Sequence, residues 1–183
     1  MNTETDQEIL EATIFVFANK LDGTLDDVAK KAGVSRVTIN RRFGKKTDLL
    51  ISAQKFSIRQ FNSVLRKARS SKQNSMDKLL FVLTEYYRLR HHHLFLMRTL
   101  VDEEDKNRKN FARQLEVIEQ LVKNAQARGY IRQELPPAWV AAFMDFLVIT
   151  ANSTRYRGIV AERDLRDHIW NTFKYGVAPT RTI

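Results

Sequence analysis

Between Arg36 and Lys46 the chain places three arginines, two lysines and Asn40 around the apolar pair Ile39 and Phe43. In a DNA major groove, arginine pairs with guanine and asparagine with adenine, while lysines and arginines replace counterions along a phosphate backbone. The surrounding segment concentrates the charge. From Thr24 to Ser70 twelve basic residues face three acidic ones, so this stretch carries +9 of the chain's net +10. Such a localised excess is the footprint of a polyanion binder. Charge alone also fits a solvated helix face, so the pattern of residues has to decide.

The elements that position these side chains follow from hydrophobic spacing and capping signals. Leu10, Ile14, Phe17 and Leu21 recur on one face of a first helix, which Asp22 and Gly23 stop. Thr24 stands where an N-cap belongs, Asp26 and Asp27 favour the positive end of the next helix, and Leu25, Val28, Ala29 and Ala32 form its inner stripe. Gly33 supplies the backbone freedom for a sharp turn, Val34 plugs between helices, and Ser35 caps a third, short helix. On that helix Ile39 and Phe43 point inward. Val37, Thr38 and Arg41 point outward, with Arg36, Asn40 and Arg42 on the flanks. A short polar and cationic helix on a two-helix platform is suited to the major groove. The competing reading is a helical hairpin with a charged surface.

The segment "TLDDVAKKAGVSRVTINRRFGKKTDLL", Thr24 to Leu50, closely resembles the DNA-binding region of TetR/AcrR-type transcriptional regulators. The resemblance covers the first four helices, about the first third of the chain. It implies that Thr24 and Lys46 hold backbone phosphates and that Arg36, Val37, Thr38, Asn40, Arg41 and Arg42 face base edges or flanking phosphates. Two residues depart from the family pattern: Asn40 replaces a customary Tyr, and Lys45 replaces a capping Ser or Asn. The first exchanges an aromatic contact for an amide and so alters the operator. The expected organisation is all-α, with about nine helices. Residues 1–46 form a three-helix helix-turn-helix DNA-binding domain, with the motif at about 24–43, and a long helix joins it to a helical regulatory and dimerisation domain, 47–183.

Beyond the fourth helix, expected from Lys46 to Arg69 with Leu49, Ala53 and Phe56 inward, the pattern remains helical. Helices are read over "MDKLLFVLTEYYRLR", "HHHLFLMRTLVDEE", "RKNFARQLEVIEQLVKNAQARGY", "AWVAAFMDFLVITANSTRY" and Glu162 to Tyr175. Trp139 to Ile149 is apolar nearly all round, which asks for burial on two sides, by the chain's own core and by a partner or wholly inside a monomer. The resemblance implies a homodimer through the last two helices. A twofold dimer sets its recognition helices about 34 Å apart on a palindrome-like duplex. Tyr86, Phe95, Phe111, Trp139, Phe143 and Phe146 supply aromatic surface. The resemblance implies a small-molecule inducer among them, whereas packed core explains the same stripe without a ligand.

Other signals point elsewhere. The chain has no cysteine, so disulfides and thiolate metal ligands are out, and no secretory leader is read at its start, which suggests a cytoplasmic protein. Its most apolar run, Ala138 to Ala151, is broken by Asp145 and is too short for a membrane span. His91, His92 and His93 fan out around a helix and cannot converge on one ion; they suit a helix boundary or surface. Asp102 to Asp105 reads as a solvated loop without calcium-loop spacing, and "NST" at Asn152 needs secretion to be glycosylated. No metal site, cofactor or enzyme is expected. The reading is a homodimeric transcriptional repressor on a double-stranded operator, released by a small-molecule ligand. Its rival is a DNA-binding adaptor that acts through a protein partner.

Overall fold

A computed structural model describes residues 4–20, 22–101 and 105–179. Among them are nine α-helices and no strand: α1 Glu4–Asn19, α2 Leu25–Ala32, α3 Arg36–Phe43, α4 Lys46–Ser70, α5 Ser75–Arg88, α6 Arg90–Thr99, α7 Lys106–Ala127, α8 Pro137–Tyr156 and α9 Glu162–Val177. The all-helical expectation holds. Leu21 and the acidic residues Asp102, Glu103 and Glu104 lie outside the described residues. Among those described, no helix is long and apolar enough to cross a membrane.

Two helix ends differ from expectation for local reasons. α8 starts at Pro137 itself, because proline at the first helical position lacks only an N–H that no intrahelical partner would take. α6 stops at Thr99, whose hydroxyl bonds back to the Phe95 carbonyl at 2.8 Å. Past it, the Asp105 carboxylate accepts from the amides of Asn107 and Arg108 at the start of α7.

The chain divides into two compact units, each drawn from two stretches. The first comprises Met1–Gln60 and His91–Lys109. There α1 packs on α2 and α2 on α3, burying Leu10, Ile14 and Phe17 with Val28, Ala29 and Ile39. Leu49, Ala53 and Phe56 on α4 are buried as their spacing requires. A polar chain crosses this interior: Asn107 Nδ2 donates to Gln54 Oε1 at 3.2 Å, and Gln54 Nε2 donates to the Thr99 carbonyl at 3.1 Å. His92 is buried rather than at the surface, with Nδ1 3.1 Å from Ser57 Oγ and Nε2 3.2 Å from Glu11 Oε2. His93 is buried too.

The second unit comprises Phe61–Arg90 and Asn110–Ile183. α5 packs against α8 and α9, and α8 against α9. Phe61 meets Tyr86 edge-on at 4.7 Å between ring centroids and lies 6.1 Å from Phe111, while Phe143 stacks on Phe173 at 6.2 Å. Gln126 donates to the carbonyls of Arg132 and Leu135, folding the α7–α8 connection back on itself. Glu162, at the start of α9, receives Arg90 and Arg155 at 2.9 and 3.0 Å.

The junction of α1 and α2 is held by one carboxylate. Asp27 accepts from the Thr24 amide at 2.9 Å, from the Thr24 hydroxyl at 2.6 Å and from Lys20 Nζ at 3.0 Å. Its own amide donates to Thr24 Oγ1 at 3.2 Å, completing a capping box. The Thr24 hydroxyl first, then the Lys20 ammonium and the Thr24 amide, hold the Asp27 carboxyl down to about 2 from its usual 3.8. A pKa lower in the folded than in the unfolded chain stabilises the fold above the unfolded value, and the benefit fades as the pH falls towards the folded one. The melting-temperature advantage of the wild type over Asp27→Asn should therefore shrink between about pH 4 and pH 2, and Thr24→Ala should cost about 1 kcal/mol at neutral pH. A wild-type advantage that stays constant over that acid range would contradict the assignment.

Candidate nucleic-acid interface

α3 has eight residues, too few to persist alone in water, where isolated helices are marginal below about 12–15 residues. Its surroundings hold it. Gly33 adopts φ 67°, a left-handed conformation open to glycine, and ends α2 while the Val34 amide bonds to the Ala29 carbonyl at 3.1 Å. Ser35 Oγ then accepts from the Thr38 amide at 3.1 Å and caps α3. Ile39 is wholly buried beneath it. Gly44, at φ 78°, turns the chain into α4, whose Asp48 carboxylate accepts from the Lys45 amide at 3.1 Å. Asp48 thus supplies the return arm of a capping box, to the amide of Lys45, without a side-chain cap from Lys45 itself.

The eight residues expected at DNA divide by what they already touch. Thr24 spends both its hydroxyl proton and its amide on Asp27. Thr38 shares a hydrogen bond of 2.9 Å with Ser35 and is half-buried. Arg42 reaches down to Asp6 on α1, Nη1 to Oδ1 at 2.6 Å, in a largely buried pair. Lys46 donates to the Gly23 carbonyl at 3.1 Å and sits over the Phe17 ring at 4.8 Å. Arg36 pairs with Asp26 at 3.2 Å, both well exposed.

Val37, Asn40 and Arg41 remain. All three are exposed, and neither Asn40 nor Arg41 makes a side-chain hydrogen bond or ion pair with any described residue. Their spacing of i, i+3 and i+4 puts them on one face of α3. The candidate interface is therefore a small outward face carrying an apolar group, an amide and a guanidinium, on a helix held from below by Ile39 and Arg42. Its inner partners include residues that local pattern could not show: Asp6, 36 positions from Arg42, and the Gly23 carbonyl, 23 positions from Lys46. The reciprocal Thr24–Asp27 capping box, by contrast, has a local signature, Thr followed three residues later by an acid.

The six aromatic residues considered for a ligand do not form one group. Tyr86 and Phe95 are buried, Phe111 and Phe143 half-buried, and Trp139 and Phe146 are 66% and 63% exposed on α8. Tyr86 and Phe111 share Phe61 as a neighbour, whereas Phe95 belongs to the other compact unit. The Tyr86 hydroxyl is buried without a hydrogen-bond partner. Burial, and secondarily the charge of Asp145, push its ionisation upward.

The two ion pairs of the head differ in environment and so in worth. Removing Asp6 leaves a guanidinium largely shielded from water, whereas Asp26 and Arg36 are solvated whether or not they pair. Asp6→Ala is expected to lower unfolding stability by about 2–3 kcal/mol and Asp26→Ala by less than about 1 kcal/mol. Urea unfolding midpoints measure both, and equal losses would contradict the anchoring role of Arg42.

Residues 9–53 match the family model described as bacterial regulatory proteins, tetR family. No curated protein matches the chain. Among solved structures, the TetR-like transcriptional regulator LfrR from Mycobacterium smegmatis in complex with proflavine is 22% identical, with 98% of this chain and 100% of that one covered and a TM-score of 0.73. A protein from Saccharomonospora viridis solved in complex with choline is 17% identical, covering 98% and 100%, at TM-score 0.69. The fatty acid degradation regulator FadR from Bacillus halodurans is 19% identical, covering 95% and 96%, at 0.64. Over residues 9–53 the head of this chain, with its capped α3, is similar to the tetR family of bacterial regulatory proteins, and the whole chain shares the fold of the TetR-like regulator from Mycobacterium smegmatis.

Proposed function

We propose that the chain is a sequence-specific DNA-binding repressor that works as a homodimer on a palindrome-like operator and leaves it when a small ligand binds the second unit. The observation that carries this reading is the outward face of α3, where Asn40 and Arg41 project into solvent without internal partners. These are the groups that pair with adenine and guanine edges. Thr24, Arg36, Thr38, Arg42 and Lys46 act chiefly by setting the posture of that face, with Arg36 and Lys46 also near enough to its rim for phosphate.

A second copy of the chain is the partner that α8 and α9 suggest. Trp139 and Phe146 are seven residues apart, two helical turns on one face, and Tyr175 on α9 is 75% exposed. Large apolar groups left in water at this density favour an interface.

For the ligand, the seat we propose surrounds Tyr86, with the rings of Phe61 and Phe111 beside it and the charge of Asp145 bearing on it. Aromatic faces with a carboxylate favour an organic cation and disfavour a fatty-acid carboxylate. Proflavine and choline, bound by two structural neighbours, are both cations.

Selection of bound duplexes from a random pool should enrich a twofold-related site that keeps its preference as salt rises. On it Asn40→Ala and Arg41→Ala should each lose about 1–3 kcal/mol while barely changing affinity for random DNA. Binding that vanishes with salt and leaves no motif would end the reading, and a motif without twofold symmetry would end the dimer. If proflavine weakens operator binding, operator must weaken proflavine binding by the same factor. Fluorescence titration with and without operator tests this, and an effect in one direction only would overturn the coupled scheme.

A further inference from the structure

We infer that Val37 is a specificity-determining residue that reads the 5-methyl group of a thymine. This deepens the DNA-binding reading above and rests on it. Val37 is 74% exposed, the second residue of α3, and it stands among Arg36, Asn40 and Arg41. No described core receives it. Phe15, another exposed apolar side chain of the same unit, differs in that Lys31 lies over its ring at 4.3 Å and His91 lies against it.

An isopropyl group in the middle of a cationic, hydrated face gains nothing by staying in water. The major groove offers such a group one distinctively apolar partner on the base edges, the thymine C5-methyl. Position and shape agree with this. Recognition helices of this class bring their N-terminal residues to the bases, and a β-branched side chain has few rotamers to lose when it is buried. Asn40 and Arg41 follow on the same face three and four residues later. At about 1.5 Å per residue against about 3.4 Å per base step, the thymine read by Val37 falls one or two steps from the bases read by Asn40 and Arg41.

The test uses the duplex selected above, remade with each thymine replaced in turn by deoxyuridine, which removes the methyl and keeps every hydrogen-bonding edge. Affinities of the full-length wild type and Val37→Ala are measured at one fixed salt concentration, with thermal melting to confirm that the exposed substitution leaves the fold intact. At one thymine per half-site the wild type should lose about fourfold for the missing methyl, the value of one buried methyl group. Val37→Ala should bind the thymine and uracil duplexes alike. The inference is overturned if uracil costs the variant as much as the wild type, if no thymine methyl matters, or if the selected site has no thymine. Those outcomes leave a selected motif standing and so spare the DNA-binding reading. Failure to select any motif takes both down.

Discussion

An eight-residue helix cannot hold its own shape, yet it must present one face bare. The first unit is organised around that constraint. Stability for α3 comes from its ends and its underside, because the side chains of its outer face, Val37, Asn40 and Arg41, are exposed and meet no internal partner among the described residues. Ser35 and Gly44 serve the ends, while Ile39 and the Arg42–Asp6 pair serve the underside. Capping contributes on the order of 1 kcal/mol at an N-terminus, and burial of a large aliphatic side chain about 1.5–3 kcal/mol. Packing therefore outweighs propensity here, as helix cooperativity requires for so short an element.

Much of this was legible from local pattern because local geometry decides it. Thr24, Gly33 and Ser35 announce caps and a turn within three or four positions of the groups they serve. Long-range partners leave no such trace. Arg42 looks like any arginine of a cationic helix until α1 is packed against it and Asp6 turns out to be the receiver. Lys46 likewise reads as a phosphate ligand, and only the fold shows the Gly23 carbonyl and Phe17 ring beneath it. The triple histidine could be denied a metal from spacing alone, but the burial of His92 between Ser57 and Glu11 depends on helices brought together from three parts of the chain.

The second unit shows the opposite limit. Its aromatic residues are evident by type, but type does not say which become interior and which remain in water. Tyr86 and Trp139 would serve equally well in a core by composition, and the packing of α5 on α8 and α9 buries the first while leaving the second exposed. The missing hydrogen-bond partner of the Tyr86 hydroxyl is a property of that packing. Burial of a polar group without a partner costs free energy, and the Tyr86 hydroxyl bears that cost beside the charge of Asp145.

The separation on α3 between side chains engaged inward and side chains facing out has an evolutionary consequence. Changes at Val37, Asn40 or Arg41 meet no internal partner, so substitutions there can accumulate without loss of folding. Asp6, Ile39 and Arg42 carry the opposite burden, since a change at any one disturbs a buried neighbour. On the DNA-binding reading proposed above, descendants of a duplicated copy could change their DNA preference through these three positions while inheriting the same scaffold intact.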